Sequence, residues 1–292
     1  MATYSIWVLE YAYVPAAAAG AIVYGDYDRP PRKLPYAYIL LKGPGVVAMV
    51  DVGYNASAYG GEMANSFGVR GWQPPSAVLA EAGLRPEDVG HVLLTHAHFD
   101  HAGNTDAFPN AVFYLQEREL SKWVWARALD PRFRWLMAAT DPSDIMRLVD
   151  LATEGRLVSV NGDREDVLPG IDLRAADDTH TWGSQFVTIR NDGRRDSQDV
   201  WVMAGDLVYS FDNIVGHDPA SPQYVPIGLA QCSQANLIVA TDAMVKLVGG
   251  ETRRVIPVHE DALAQVYPHR VTRHGLKIIE LALADGQASL VA

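Results

Sequence analysis

The sequence predicts an α/β protein built as a four-layer αββα sandwich. Three observations lead there. About half of the 292 residues are apolar, enough to bury a sizeable core. Short apolar runs with strand character fall into two groups, one before residue 117 and one after 156, and each group is interleaved with helical patterns. Two sheets that each carry helices on one side pack best face to face, with the helices outside.

Taken in order, "YAYILLKGPGVVAMVDVG" (36–53) runs apolar on both sides of a Gly-Pro-Gly turn and reads as a hairpin of two buried strands, the second ending at Asp51. "PPSAVLAEAGL" (74–84) opens with prolines suited to a first helical turn and closes at Gly83, a C′ residue, so it reads as a short helix. "HVLLTH" (91–96) is the next strand, followed by a short helix and the strand "AVFYLQ" (111–116). Residues 117–155 hold two or three helices, and their aromatics from Trp123 to Trp135 read as core. Strands follow at "LVSV", "IDLRAA", "QFVTIR" and "DVWVMAG". In the helix over 233–248, Leu237, Thr241, Met244, Val245 and Val248 recur at helical spacing, and Gly249 ends it. "RRVIPVH" closes the series. No repeat or low-complexity linker interrupts the chain, so one domain over 1–292 with a helical insertion at about 117–155 is expected.

Charge and composition narrow the function. Twenty-four basic and thirty-five acidic residues leave a net charge of −11, which repels polyanions, so no nucleic-acid partner is expected. Cys232 stands alone and forms no internal disulfide, which suits a cytoplasmic location. The run "VPAAAAGAIV" (14–23) imitates a secretory core, but "MATYSIWVLEYAY" before it carries Glu10 and no Lys or Arg. No apolar stretch reaches the roughly 18 residues that span a bilayer, and no membrane partner is expected.

The stretch "THAHFDHAGN" (95–104) gathers three of the nine histidines and an aspartate into six positions. In an extended segment His96 and His98 project to one side, and Asp100 and His101 fall where strand gives way to helix. Neutral imidazoles and carboxylates are the ligands that hold zinc, iron or manganese. Four donors leave a metal pair incomplete. His180 in "DDTHTWGS", Asp206 at the end of "VWVMAGD" and His259 at the end of "VIPVH" each flank a buried strand and can share one edge of the sandwich.

The pattern His96-x-His98-x-Asp100-His101, followed by His180, Asp206 and His259, resembles the metallo-β-lactamase superfamily over nearly the whole chain. The opening "YVPAAAAGAIVYGDYDRPPRKLPYAYILL" and the segment "AGDLVY" are similar to N-acyl-homoserine lactonases within it. The resemblance implies two divalent metal ions, zinc first with manganese or iron as alternatives: one on His96, His98 and His180, the other on Asp100, His101 and His259, with Asp206 bridging both. It also implies a substrate-facing Tyr209, three residues beyond Asp206, and Asp100 as a proton carrier. The expected reaction is the opening of a lactone or related cyclic ester by a metal-bridging hydroxide, on a small-molecule substrate. Thioesters, cyclic amides, phosphodiesters and a non-catalytic binding role are the alternatives. The likeness and the aromatic insertion point to a homodimer. Two departures stand out: the second histidine loop has Thr179 for a glycine and Ser184 for a histidine, which predicts a different loop shape there, and "EDA" follows His259, which predicts a different far wall of the pocket. Asp51 has two readings, a turn former or a group that orients a ligand histidine, and His217 reads as a solvated loop residue.

Overall fold

A computed structural model describes residues 3–218 and 220–292. Among these residues thirteen strands occur: β1 Ser5–Ala17, β2 Arg32–Gly43, β3 Val46–Val50, β4 His91–Leu93, β5 Val112–Gln116, β6 Leu157–Val160, β7 Arg164–Leu168, β8 Ile171–Asp177, β9 Gly183–Arg190, β10 Val200–Met203, β11 Val255–Ile256, β12 His269–Val271 and β13 Lys277–Ala282. They build an eight-stranded sheet in the order β12-β13-β1-β2-β3-β4-β5-β6 and a five-stranded sheet in the order β11-β10-β9-β8-β7.

Alternation along the strands explains the layering. Ile6, Val8, Ile39 and Leu41 point between the sheets, where they meet Ile171, Leu173, Val187, Ile189 and Met203. Their neighbours Trp7, Leu9, Tyr38 and Leu40 point outward into a second core that includes the helix residues Val78, Leu79, Ile145 and Leu148. Strands covered on both faces read as unbroken apolar runs, and period-two contrast is lost from their sequence. The β2–β3 hairpin turns through Pro44 and Gly45, whose φ of +71° is the left-handed conformation that the second corner of a type II turn needs. Parallel pairing of β3, β4, β5 and β6 then requires crossovers: the helices Tyr59–Ser66 and Pro75–Ala80 lie between β3 and β4, the short helix Phe99–Ala102 between β4 and β5, and Glu117–Arg127 and Pro142–Thr153 between β5 and β6. The helix Gln234–Leu247 covers the smaller sheet. No helix among the described residues is long and apolar enough to cross a membrane.

Several expectations need correction. The strand β1, the helix Tyr59–Ser66, and the strands β7, β12 and β13 were not expected. Val14–Ala17, inside the run that imitated a secretory core, ends β1. The helix expected over 74–84 is only Pro75–Ala80. Four strands stop before the residues they were expected to end on: β3 at Val50, β4 at Leu93, β10 at Met203 and β11 at Ile256. Those final residues sit on loops, where the backbone can turn a side chain towards a common point. The aromatics of the insertion divide. Trp123 is fully buried, whereas Trp125, Phe133 and Trp135 are 48%, 51% and 66% exposed, so the core reading holds for Trp123 and fails for these three.

Candidate metal centre

The loops after β3, β4, β10 and β11 and the loop before β9 meet at one edge of the sandwich. They bring two groups of side chains together, His96, His98, His180 and Asp206 in one and Asp100, His101 and His259 in the other, all buried. Asp206 stands between them. Its Oδ2 lies 3.3 Å from His180 Nε2 and 3.7 Å from His96 Nε2, while its Oδ1 lies 3.1 Å from both His101 Nε2 and His259 Nε2. Asp100 Oδ2 approaches the second pair at 3.6 Å and 4.0 Å.

Local sequence explains how the donors converge. The turn after β10 passes through Gly205 at a φ of +55°, and a β-carbon there would lie 2.7 Å from the Thr95 side chain, so only glycine lets Asp206 approach the histidine loop. His98 is the N-cap of the short helix Phe99–Ala102, which turns Asp100 and His101 back towards the site. Outer partners fix the rings. Asp51 Oδ1 accepts from Thr95 N at 2.7 Å, and its Oδ2 accepts from the Thr95 hydroxyl and from His101 Nδ1, each at 2.8 Å. Having donated to Asp51, the Thr95 hydroxyl accepts from His96 Nδ1 at 3.0 Å. His259 Nδ1 donates to Pro35 O at 2.6 Å. In their neutral forms His96, His101 and His259 therefore all turn an Nε2 lone pair inward. Asp51 bonds and orients His101, as the second of its two readings expects of it.

Electrostatics separate the two donor groups. Burial and the neighbouring imidazoles hold His96 and His98 well below the usual histidine range, in the neutral form that ligates metal. Burial opposes charge on His101 and His259 too, but the carboxylates of Asp206 and Asp100 outweigh it and raise both. Asp206 is drawn well below the carboxylate range: burial works against this, and His101 and His259 overcome it. His101 Nε2 and Asp206 Oδ1 have no hydrogen-bond partner although both are buried. His98 Nδ1 lies 3.0 Å from both His96 Nε2 and His180 Nε2, a crowd of ring nitrogens that one shared proton cannot satisfy. Inward lone pairs, orphaned buried atoms and a donor set of imidazoles and carboxylates fit divalent cations.

The sequence profile of the metallo-beta-lactamase superfamily matches residues 32–259, which contain all seven donors. The chain belongs to the metallo-beta-lactamase superfamily. An N-acyl homoserine lactonase of Bacillus cereus is 40% identical over 42 residues, 14% of this chain and 17% of that protein. Such matched segments span only 17% to 37% of the length of the curated relatives. Among solved structures, a probable metal-dependent hydrolase from Staphylococcus aureus superimposes with a TM-score of 0.64 at 21% identity, over 89% of this chain and 91% of that one. A dizinc quorum-quenching lactonase in complex with a product gives 0.61 at 16% identity, over 97% and 96%. At these identities the structural likeness speaks for the fold.

The superfamily site opens into a cavity of about 590 Å³. His98, Asp100, His180, Asp206, Tyr209 and His259 lie at its floor, and Ala16, Ala17, Ile22, Leu34, Phe67, Trp135 and Leu229 line it above, with no lysine or arginine among the described lining residues. Tyr209 is 6% exposed, its ring 4.9 Å from that of His259. Tyr36, which was not singled out in the sequence, lines the same floor with its ring 5.3 Å from His259. His217 is exposed, pairs with Asp26 and is not among the lining residues.

In the second histidine loop, Ser184 Oγ accepts from Thr181 N at 3.0 Å and contacts the Thr181 hydroxyl at 2.8 Å. The principal anchor went unnoticed in the sequence. Glu119, fully buried, accepts from Ala97 N, Trp123 Nε1, the Thr181 hydroxyl and Gly183 N at 2.7–2.9 Å, tying the first histidine loop to the second. A β-carbon at Gly183 would lie 2.3 Å from Glu119 N, so the glycine is required for that approach. A glutamate in a helical first turn looks like an ordinary solvated residue, and only the nearby Trp123 hinted at a buried surface.

Proposed function

We propose that the protein is a dinuclear metal-dependent hydrolase that opens a lactone or related cyclic ester. The observation that carries this reading is the two-sided placement of Asp206, one oxygen towards each donor group, on the floor of an apolar cavity. In this reading His96, His98 and His180 hold one ion, Asp100, His101 and His259 hold the other, and Asp206 is shared. Zinc is the first candidate, in keeping with the dizinc lactonase among the structural relatives. Two such cations, when bound, supply Lewis acidity and a water nucleophile that is active near neutral pH.

The chain's own groups do the rest. Tyr209 is kept protonated, because burial and the Asp206 and Asp100 carboxylates raise its hydroxyl well above the usual range, and it donates to the carbonyl oxygen of the ester as charge develops there. Asp100, on the cavity floor, would take up the proton that the water releases as it adds to the carbonyl carbon. It delivers that proton to the ring oxygen as the acyl carbon–oxygen bond breaks, leaving a hydroxy acid. The uncharged upper wall suits a neutral substrate with an apolar tail and offers no countercharge to a phosphodiester.

The test is a proton-release screen over lactones, thioesters, cyclic amides and phosphodiesters, with the metal content of the protein measured first. Turnover of lactones above the other classes is expected. A response to phosphodiesters alone, or to no cyclic ester at all, would overturn the reading.

A further inference from the structure

Gln231, on the loop before the helix Gln234–Leu247, touches three parts of the molecule at once. Its backbone N–H donates to His180 O at 3.0 Å. Its side-chain Nε2 donates to Leu136 O at 2.7 Å, and its Oε1 stands 3.2 Å from His98 Nε2. Leu136 belongs to the 3₁₀ segment Pro131–Met137, which places the exposed Trp135 on the cavity wall. That segment has no fully buried residue of its own, and Met137 at its end is the side chain it packs against the core.

Donor and acceptor logic makes the chain of contacts directional. A carbonyl can only accept, so Leu136 O forces the amide nitrogen of Gln231 to face it, and the amide oxygen then faces His98. An amide oxygen can only accept, so His98 Nε2 must carry the proton. His98 Nδ1, which lies 3.0 Å from His96 Nε2 and His180 Nε2, is thereby left as the inward lone pair. The position of a surface segment thus fixes which nitrogen of a buried ring is free to ligate.

We propose that Gln231 is a positioning residue that couples the Pro131–Met137 flap to His98, so that flap seating and metal retention at the first donor group rise and fall together. The proposal rests on the reading of His98 as a metal ligand. When the flap leaves its seat, the Gln231 amide is free to rotate, its nitrogen can turn to His98, and the preference for the inward Nδ1 lone pair is lost. Partners of this kind around ligating histidines change metal affinity by about 10- to 100-fold.

Two substitutions separate the two ends of the strap. Gln231→Leu removes both contacts. Gln231→Glu keeps an acceptor for His98 and loses the donor to Leu136 O. Zinc affinity is measured by chelator competition, and flap protection by amide hydrogen exchange over 130–139 in the zinc-free protein, which does not depend on turnover. Gln231→Leu is expected to weaken zinc binding by about tenfold or more and to speed flap exchange. Gln231→Glu is expected to speed flap exchange while holding zinc within about threefold of the unsubstituted chain. Unchanged zinc affinity in Gln231→Leu, or unchanged flap exchange in both variants, would overturn the coupling and leave the proposed function intact. An unsubstituted chain that binds no zinc, manganese or iron would overturn both.

Discussion

Asp51 Oδ2 lies 2.8 Å from Nδ1 of His101 and 2.8 Å from the Thr95 hydroxyl, so one carboxylate oxygen orients two histidines, His101 directly and His96 through Thr95. Asp51 achieves this from a left-handed backbone conformation with a φ of +63°. Asparagine tolerates that conformation nearly as well as aspartate, which makes Asp51→Asn a clean probe of the carboxylate. Its amide cannot accept from Thr95 N, Thr95 Oγ1 and His101 Nδ1 together. The expected outcome is a 10- to 100-fold loss of metal affinity by chelator competition, with far-ultraviolet circular dichroism unchanged. Affinity equal to that of the unsubstituted protein would show that the orientation does not matter for binding.

Glu119 presents four acceptor positions to four donors from three segments. Glutamine keeps one oxygen and turns an NH₂ group onto donors that need an acceptor, leaving buried groups unsatisfied. Glu119→Gln should cost about 2 to 4 kcal/mol in urea unfolding. A midpoint within error of the unsubstituted chain would mean that the carboxylate tie is not a stabilising element.

Tyr209→Phe removes one hydroxyl from the cavity floor and preserves the ring packing on His259. Steady-state kinetics on a substrate from the hydrolysis screen should show kcat lowered on the order of 10²-fold, with metal content unchanged. Loss confined to KM would place the hydroxyl in ground-state binding and remove it from the charge-stabilising role.

Asp144, in the first turn of the helix Pro142–Thr153, is buried with Oδ2 unpartnered, and burial followed by Asp141 and Asp106 pushes its carboxyl up to about 8. The folded form therefore holds a proton that the unfolded chain releases near pH 4. This contribution to stability is complete below about pH 4, falls by up to about 1.4 kcal/mol per pH unit between there and about 8, and is gone above. Asp144→Asn should accordingly gain on the unsubstituted protein as pH rises from 5 to 8 and hold a constant lead beyond. Denaturant midpoints at pH 5, 6.5, 8 and 9 check the trend, and parallel curves for the two proteins would refute it.

The seven donors were legible because the chemistry constrains residue types: six positions in a row for four of them, and strand ends for His180, Asp206 and His259. The supporting residues were not. Thr95 and Gln231 act through polar atoms whose partners lie on other loops, up to 133 residues away, and nothing in local spacing marks them. β1 was missed because it is covered on both faces, so "SIWVLEYAYVPAA" lacks the polar alternation that identifies a half-exposed strand. β12 is three residues long, too few for a pattern, and the mixed apolar run of β13, "KIIELA", carries no alternation that sets a strand apart from a helix. Trp135 and Trp125 were read as core because aromatics at helical spacing usually are; Trp135 is exposed on the wall of a cavity that only tertiary structure creates, and Trp125 is exposed outside it.

The donors divide by origin: His96, His98, Asp100 and His101 follow a strand of the larger sheet, while His180, Asp206 and His259 flank strands of the smaller one. Each proposed ion would draw ligands from both, and so would act as a rivet across the seam of the sandwich. Stripping the ions would then unfasten architecture as well as chemistry, and a chelator should lower the temperature at which the whole molecule melts.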